Sequence, residues 1–450
     1  MLSGSCKKLF GLSLGIFTAG AAFSGLTVTA QATTLALELT LNEPDPTAFL
    51  NSPQDEFGAA LDVDGNRYLI AAPNHIPDNG NGRGRVHLFD QTGTQFLNFS
   101  NPAPGGGDDG FGDSIALAGN RVAVGAPLDD DSPNCTGAFC GRVYLYDAGT
   151  GTLERTLDDP NPGQFNQFGS KVAMHGNRLL VSAQFDNGGA VYLYDANNGA
   201  LLQTFNDPTP TGSDLFGNAL VLDGDTVIIG APQDSSGGEV HVFSAASGNL
   251  IRTINAPTPA SGSRFGNALS LDGDQILIGA EGTEVDGDAF AGEAHLFTLD
   301  GDHLMSFSDP TPEQFTAFAT SVALSNGLAL IGQPSDNSQE APNPDPFGSG
   351  SQIGQAYLFD ASTGALLQIL DDPTPSRMDN FGGAVALTED RALIGARFDQ
   401  SQGSDADPND FLGQVHVYSV NSRVVPTPQS LTLLVAGALG LLLRLARARV

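Results

Sequence analysis

Short apolar runs separated by polar turns recur along the chain, and the fourth copy shows the pattern well. Ala219 to Leu222 is apolar, Asp223-Gly224 marks a turn, and Thr226 to Pro232 is a second apolar run ending in Gly-Ala-Pro. A polar loop follows, and then come Glu239 to Ser244 and Asn249 to Asn255. Asp-Gly and Asn-Gly pairs accept the positive φ that two-residue hairpins require. The pattern therefore predicts an antiparallel meander of four short strands.

Each copy opens with Phe-Gly, or with Phe-Ala in one case. The interval ranges from 48 residues, Phe168 to Phe216, to 63 residues, Phe318 to Phe381, which suits four strands and exceeds a helical-pair repeat. We expect each Phe to bury its ring between neighbouring sheets and each Gly to allow close backbone approach. We predict an all-β fold, a seven-bladed β-propeller of four-stranded antiparallel blades. The copies begin at Phe57-Gly58, Phe111-Gly112, Phe168-Gly169, Phe216-Gly217, Phe265-Gly266, Phe318-Ala319 and Phe381-Gly382.

The outermost strand of the last copy is missing from its expected place. In the other copies an apolar strand is followed by Pro-x-Pro, usually after Asp or Asn, whereas Val415 to Val420 leads directly into the C-terminal tail. An unpaired version of this segment, Leu37 to Pro46, precedes the first Phe-Gly. We therefore predict that the N-terminal strand completes the last blade, which leaves only short, protected sheet edges.

The N-terminal residues have the features of a secretory signal peptide. Lys7-Lys8 precede an apolar run from Leu9 to Val28, and Ala30-Gln31-Ala32 has the small residues of a cleavage site. We expect residues 1–32 to be removed, with Thr33 as the first residue of the mature chain. The protein is therefore predicted to be exported, with residues 33–422 forming the propeller.

Residues 423–450 form a tripartite tail. Val425-Pro426-Thr427-Pro428 is followed by an apolar run, Leu431 to Leu443, and by the basic residues Arg444, Arg447 and Arg449. This tail resembles the PEP-CTERM sorting signals of exported bacterial proteins, which have a Val-Pro-Glu-Pro motif and are processed by an exosortase-type enzyme. Thr427 stands where Glu is usual. The resemblance implies transient membrane association through the tail, and a plain C-terminal membrane anchor is the alternative.

Two cysteines lie in one loop of the second copy. Cys135 and Cys140 are separated by four residues, and an oxidising compartment outside the cytoplasm favours a local disulfide between them. A metal site would need further Cys or His ligands close by in the sequence. We predict the disulfide.

The chain is strongly acidic. It has 51 Asp and Glu against 19 Lys and Arg, a formal net charge of -32. Such a surface repels phosphate backbones and anionic headgroups, so we expect no nucleic-acid partner. Affinity for cations or cationic partners is one interpretation of the charge, and a solubility adaptation is the other.

The repeated motifs resemble the FG-GAP repeat of integrin-α-type propellers. Besides Phe-Gly, Gly125-Ala126-Pro127 and Gly230-Ala231-Pro232 end second strands, and Gly-x-Val-Tyr/His begins third strands. The resemblance covers about residues 35 to 420. It implies an extracellular recognition or adhesion scaffold without catalysis. We therefore expect a monomeric, non-enzymatic propeller that binds a glycan, a matrix polymer or a protein.

Calcium is the one cofactor that the resemblance suggests. Calcium-binding copies in integrin-like members have an acidic loop between the first two strands, whereas here that connection is a two-residue turn, with Asp62 to Asn66 the closest approach. Acidic residues lie instead between the second and third strands. They form either a calcium site or ordinary solvated loops. The candidate ligands are Asp129, Asp130, Asp131, Asp286, Asp288, Asp405 and Asp407.

The same loops differ in length around the ring. Copies three and four use short loops, Gln184 to Gly189 and Pro232 to Gly238, whereas copies six, seven, one and two use longer ones, up to Pro334 to Gly354. Because copies seven and one are neighbours in a closed ring, the long loops form one sector. Long loops on a rigid scaffold often carry recognition. We expect this sector to bind the partner, and tolerated insertion is the alternative.

An enzyme remains the rival function. A polysaccharide-active hydrolase or lyase could assemble paired carboxylates from distant loops in an axial pocket. The third strands carry His87, His241, His295 and His416 where other copies have Tyr. We predict that these residues are half-buried aromatics with a packing role.

Overall fold

The computed structural model describes residues 33–46, 55–76, 83–102, 108–135, 137–186, 188–210, 212, 214–234, 236–336, 352–376, 378–400 and 412–421. These residues form 28 strands in seven four-stranded antiparallel sheets. All of them belong to one compact unit, residues 33–422. Among the described residues, no helix has the length and apolarity needed to cross a bilayer. Residues 1–32 and 423–450, which the sequence predicts to be a signal peptide and a sorting tail, lie outside this part of the chain.

Each of the first six blades uses four consecutive strands, as the sequence predicts. The first blade contains β2 (Leu61–Asp64), β3 (Arg67–Ala72), β4 (Arg85–Asp90) and β5 (Gln95–Ser100). The second contains β6 (Ser114–Ala118), β7 (Arg121–Ala126), β8 (Arg142–Asp147) and β9 (Leu153–Asp158). The third contains β10 (Phe168–His175), β11 (Arg178–Ala183), β12 (Ala190–Asp195) and β13 (Ala200–Asn206).

The remaining blades continue this order around the ring. The fourth contains β14 (Ala219–Asp223), β15 (Thr226–Ala231), β16 (Glu239–Ser244) and β17 (Leu250–Asn255). The fifth contains β18 (Leu269–Asp272), β19 (Gln275–Ala280), β20 (Glu293–Thr298) and β21 (His303–Phe307). The sixth contains β22 (Ser321–Ser325), β23 (Leu328–Gln333), β24 (Gln355–Asp360) and β25 (Leu366–Asp371). The seventh contains β26 (Phe381–Leu387), β27 (Arg391–Ala396), β28 (Gln414–Asn421) and, from the N-terminus, β1 (Thr34–Asn42).

The N-terminal strand closes the seventh blade, which confirms the prediction. β1 pairs antiparallel with β28 in a register that runs from Thr34 opposite Asn421 to Asn42 opposite Gln414. The Leu35 backbone N–H donates to Gln368 Oε1 of blade 6 at 2.8 Å, and Gln368 Nε2 donates to the Leu35 carbonyl at 3.2 Å. The first strand is therefore anchored both to its own blade and to the neighbouring one.

The ring is held together by apolar packing between adjacent blades. Each first strand contacts the first strand of the next blade, and β26 contacts β2. All seven repeat Phe rings are fully buried. Phe216, for example, lies in one apolar cluster with Val191 and Leu193 of blade 3 and with Val227 and Ile229 of its own blade. The repeat Phe thus joins two sheets.

Glycine is required where blades approach one another most closely. A Cβ on Gly238, at the start of the third strand of blade 4, would lie 2.2 Å from the carbonyl oxygen of Phe265 in blade 5. Gly238 has a φ of 106°. At the Phe-Gly positions the same left-handed region is used, and Ala319 occupies it with a φ of 68°. Alanine is strained there, since left-handed backbone costs a non-glycine residue about 1 to 2 kcal/mol.

The antiparallel order of the strands separates two faces of the propeller. Loops between second and third strands and connections between blades emerge on one face, which we call the loop face. The two-residue turns lie on the other, and Gly224 in one of them has a φ of 53°. Asp62 accepts hydrogen bonds from the backbone N–H groups of Val63 at 2.8 Å and Leu117 at 2.6 Å. This carboxylate therefore tethers blade 1 to blade 2.

Candidate functional site

The two cysteines predicted to pair do form a disulfide. Cys135 and Cys140 are bonded within the loop between β7 and β8, with their Cα atoms 5.8 Å apart. Cys140 is buried, and the backbone N–H of Phe168 in the next blade donates to its carbonyl at 3.0 Å. The disulfide thus braces a loop that also contacts blade 3.

The acidic run that the sequence offers as candidate calcium ligands makes hydrogen bonds within and next to its own loop. Asp129 is buried and accepts hydrogen bonds from the Tyr144 hydroxyl and from the Asp131 backbone N–H. Burial raises the pKa of Asp129 above its usual range. Asp130 accepts from the backbone N–H of Phe139. These hydrogen bonds stabilise the conformation of the loop. The described carboxylates of this run do not come close enough together to bind one metal ion.

The other predicted ligands are also separate from one another or undescribed. Asp286 is exposed in the connection between β19 and β20, where Asp288 exchanges backbone hydrogen bonds with Val285. Asp405 and Asp407 lie outside the described residues. In the part of the chain that the structure describes, the one group of three or more His, Cys, Asp or Glu side chains within ligating distance is Asp372, Asp379 and Asp399.

This cluster belongs to a set of four positions that recurs at each blade boundary on the loop face. The positions are the first residue of the Pro-x-Pro connection, the residue two before the repeat Phe, the residue three after the second strand, and the third-strand His or Tyr. We call these four the boundary set. Blade 7 has Asp372, Asp379, Asp399 and His416, and blade 4 has Asp207, Asp214, Asp234 and His241.

The blade 7 boundary set is deeply buried. Its three carboxylates each offer one oxygen within 4.8 Å of the others. His416 Nε2 lies 3.7 Å from Asp372 Oδ1. Burial, together with the neighbouring carboxylates, raises the pKa of Asp372 and of Asp379. Burial lowers the pKa of His416 to about 4, so the imidazole is neutral at pH 7. The arrangement brings three carboxyl groups together without a side-chain cation among its four members.

A second feature of the loop face is a pair of exposed phenylalanines between blades 2 and 3. Phe139 is 37% exposed and Phe165 is 48% exposed, and their ring centroids are 5.6 Å apart. Both have left-handed backbone, with φ of 57° and 67°. The Phe165 N–H donates to the Ala138 carbonyl at 2.8 Å, which holds the two segments together.

The same pair recurs between blades 5 and 6. Phe290 and Phe315 are 38% and 63% exposed, and their rings stack with centroids 5.7 Å apart and planes at 17°. Their φ values are 56° and 64°. The Arg264 guanidinium carbon lies 5.9 Å from the Phe290 ring centroid. The sequence repeats as well, since Ala-Phe-x-Gly and Gln-Phe-x-x-Phe flank both pairs.

The comparison with known families agrees with this architecture. The FG-GAP repeat model matches residues 102–146, 154–194 and 210–243, which lie in blades 2, 3 and 4 and their connections. The other four blades have the same strand order. The chain is a seven-bladed propeller that contains FG-GAP repeats. No curated protein matches it. An FG-GAP propeller is in general a binding or adhesion type of domain.

The first strands of the propeller line a central cavity. A cavity of about 370 Å³ is lined by first-strand residues of blades 1 to 5. Asp62 is the one carboxylate among its described lining residues, which are otherwise mainly aliphatic. Burial raises the pKa of Asp62 to about 6. A glycosidase mechanism needs two carboxylates across the scissile bond, and this lining supplies one.

The third-strand histidines of the FG-GAP propeller are more deeply buried than the sequence predicts. His87, His241, His295 and His416 are all buried, so the prediction of half-buried rings was wrong. Each packs against the repeat Phe of its own blade, as His241 does against Phe216 at 5.8 Å between centroids. The physical reason is that the Pro-x-Pro connection and the loop from the second strand cover the polar edge of the ring.

We expect the buried imidazole of His295 to make the propeller sensitive to acid. Burial lowers the pKa of His295 to about 4, with a smaller contribution from His303. The unfolded chain binds a proton near pH 6.5, so this contribution to stability is complete above pH 6.5 and is lost as the pH falls towards 4. Between pH 7.5 and 4.5 the loss is about 2 to 3 kcal/mol.

The variant His295→Phe should remove this part of the pH dependence. Urea unfolding at pH 7.5 and 4.5 measures the free energy of unfolding of the wild type and of the variant. The stability of the wild type relative to the variant should fall by about 2 to 3 kcal/mol at the lower pH. His175→Asn is the control, because it removes an exposed histidine in place of a buried one. Parallel profiles for the wild type and His295→Phe would contradict the assignment.

Proposed function

We propose that this FG-GAP propeller is an exported cell-surface or extracellular-matrix protein that binds a glycan or polysaccharide matrix polymer on its loop face. The observation that carries the proposal is the repeated pair of exposed phenylalanines, Phe139 with Phe165 and Phe290 with Phe315. The N-terminal and C-terminal signals predicted from the sequence support the export and surface retention of the chain.

Packing does not account for the exposed rings. Each of the four phenylalanines has a left-handed φ, which costs a non-glycine residue about 1 to 2 kcal/mol, and each leaves much of its ring in water. Such strain persists where the surroundings fix it, and it clusters at ligand sites. The two pairs share both backbone conformation and flanking sequence. They are therefore a repeated feature of the loop face and not an irregularity of one loop.

The chemistry of the pairs favours carbohydrate as the ligand class. The face of an aromatic ring is electronegative and attracts the polarised C–H groups on the less polar face of a sugar ring. The net charge of -32 opposes binding of polyanions. The pairs lie three blade boundaries apart in a ring of seven, so an extended polymer crossing the loop face would meet both. A polymer ligand would therefore contact both aromatic pairs at once.

The long loops of blades 6, 7, 1 and 2 complete the proposed surface. The described strands that flank these loops end on the loop face, where the aromatic pairs also lie. Residues 77–82, 337–351 and 401–411 of these loops lie outside the described part of the chain. Our proposal assigns the aromatic pairs to contact with sugar rings, and the long loops to selection among glycans.

The double variant Phe165→Ala with Phe315→Ala should lose glycan binding. A glycan array with the full chain identifies ligands, and calorimetry with the best ligand measures affinity. We expect the affinity to fall at least tenfold in each single variant, because aromatic anchors typically contribute 2 kcal/mol or more at a binding surface. Melting temperature should change little, since both rings are exposed.

Phe96→Ala is the matched control for this experiment. Phe96 is 45% exposed on β5, the outer strand of blade 1, and is not part of the loop face. Its removal should leave glycan affinity unchanged. Unaltered binding by the double variant, or an array without any glycan ligand, would overturn the proposal, and a protein ligand insensitive to both substitutions would do the same.

A further inference from the structure

We propose that Asp372, Asp379, Asp399 and His416 form a buried site for one divalent metal cation in blade 7. The three carboxylates come from different places in the chain: the connection after β25, the residue two before Phe381, and the loop after β27. Asp399 lies in the acidic loop between the second and third strands that the sequence indicated as a possible calcium site, whereas Asp372 and Asp379 were not indicated. The site is separate from the aromatic pairs and does not depend on the proposed function.

The geometry suits a single coordination sphere. One oxygen of each aspartate lies within 4.8 Å of one oxygen of the other two. Oxygen ligands at 2.0 to 2.6 Å from one cation are at most about 5 Å apart, so the three oxygens fit around one ion. His416 Nε2, at 3.7 Å from Asp372 Oδ1, lies at a distance that two ligands of the same ion would have.

Two unpaired atoms supply an independent indication of a ligand. Asp372 Oδ2 and His416 Nε2 are buried and have no hydrogen-bond partner, and both side chains are fully buried. A buried polar group without a partner costs about 1 to 3 kcal/mol, so native structures rarely leave one unexplained. A cation bound between these residues satisfies both atoms at once.

Surrounding groups already orient the proposed ligands. His416 Nδ1 lies 3.0 Å from Thr40 Oγ1, and with Nδ1 donating to this hydroxyl, Nε2 keeps its lone pair for a metal. The Thr374 N–H donates to Asp372 Oδ1 at 2.8 Å, and its hydroxyl contacts Asp399 Oδ2 at 3.3 Å. Hydrogen bonds of this kind hold ligands in place and tune metal affinity.

Blades 4 and 5 provide an internal comparison. Blade 4 has the same four residue types in its boundary set, and the equivalent atoms Asp207 Oδ2 and His241 Nε2 also lack hydrogen-bond partners. Its carboxylates do not form a described group within 4.8 Å. Blade 5 keeps His295 but has Ala256, Ser263 and Thr283 at the three carboxylate positions. Among the residues that the structure describes, three or more such groups converge within ligating distance in blade 7.

The ligand set indicates the class of metal. Three carboxylates suit hard divalent cations, whereas an imidazole nitrogen favours first-row transition metals, and Ca²⁺ takes oxygen ligands almost throughout. Mn²⁺ and Zn²⁺ accept both donor types. We therefore assign the site to Mn²⁺ or Zn²⁺ in preference to Ca²⁺ or Mg²⁺.

Metal binding to the full chain tests this assignment. After dialysis against chelator, the protein is titrated calorimetrically with Mn²⁺, Zn²⁺, Ca²⁺ and Mg²⁺ separately, and its melting temperature is recorded with and without each ion. We expect one Mn²⁺ or Zn²⁺ per chain and a higher melting temperature in its presence. Asp379→Asn and Asp399→Asn should each weaken binding at least tenfold and remove the thermal stabilisation, while the metal-free variants stay folded.

Two matched variants control for non-specific binding to an acidic protein. Asp371→Asn changes the adjacent carboxylate, which accepts a hydrogen bond from Gln355 and lies outside the cluster. Asp234→Asn changes the blade 4 equivalent of Asp399. Both should retain wild-type stoichiometry and affinity. Absence of stoichiometric binding with all four ions overturns the proposal, as does equal binding by Asp379→Asn and the wild type, or loss of binding in Asp234→Asn.

Discussion

Deletion of β1, Thr34–Asn42, is expected to leave little folded monomer. Leu35 and Leu41 are buried in the packing of blade 7 against its two neighbours. Loss of these two side chains alone removes about 3 to 6 kcal/mol of transfer free energy, a large share of the 5 to 15 kcal/mol that holds a typical domain folded. Urea unfolding and size-exclusion chromatography with light scattering would measure the effect.

The deletion should also change the association state. Without β1, the N–H and C=O groups of β28 form an open sheet edge, and such edges pair with other chains. We expect dimers or aggregates alongside the loss of stability. Leu41→Asn should reproduce much of the destabilisation, whereas Leu37→Asn should not, because Leu37 is 46% exposed. A deletion variant that remains a monomer of wild-type stability would refute the closure of the ring by β1.

The blade architecture could be predicted because local rules determine it. Turn residues such as Gly224, the spacing of the repeat Phe residues and the unpaired segment from Leu37 to Pro46 each act over a few residues. Together they predicted seven four-stranded blades and the closing strand. The β-bulge between Leu37 and Leu39 was not predicted, because apolar and other residues alternate without a break from Leu35 to Leu41.

The blade 7 cluster could not be predicted from acidic composition. The densest acidic run, Asp129-Asp130-Asp131, supplied candidate calcium ligands. The Asp129 and Asp130 carboxylates instead accept hydrogen bonds from backbone N–H groups of the same loop. Asp372, Asp379 and Asp399 lie far apart in the sequence and meet because the connection between blades folds over the start of β28, where Thr374 contacts Gln414. A signal did exist: these residues have the same spacing from Phe381 as Asp207, Asp214 and Asp234 have from Phe216.

The aromatic pairs show a different limit of sequence reasoning. The segments Ala138 to Gly141 and Ala289 to Gly292 repeat one sequence pattern. This recurrence could have identified them as candidate functional segments. Ring exposure could not be inferred, because an apolar residue in a loop is ordinarily expected to be covered. Phe165 and Phe315 have a left-handed φ and are exposed. The repeat Phe that follows each of them three residues later is buried in the core.

Phe216→Ala is expected to lower the free energy of unfolding by about 3 to 5 kcal/mol. The ring is fully buried between Val191 of blade 3 and Ile229 of blade 4, and it packs edge-on against Phe243 with centroids 6.3 Å apart. Because strands on both sides are fixed by their own ladders, they cannot collapse into the cavity. Urea unfolding, followed by circular dichroism, gives the measurement.

A comparison among phenylalanines separates this packing role from a general loss of apolar surface. Phe265→Ala removes the equivalent ring between blades 4 and 5 and should cost a similar amount, since its surroundings repeat those of Phe216. Phe96→Ala removes an exposed ring from an outer strand and should change stability by less than about 0.5 kcal/mol. A change in the free energy of unfolding as small for Phe216→Ala as for Phe96→Ala would show that the repeat Phe does not join adjacent blades. Its presence in all seven copies would then need another explanation.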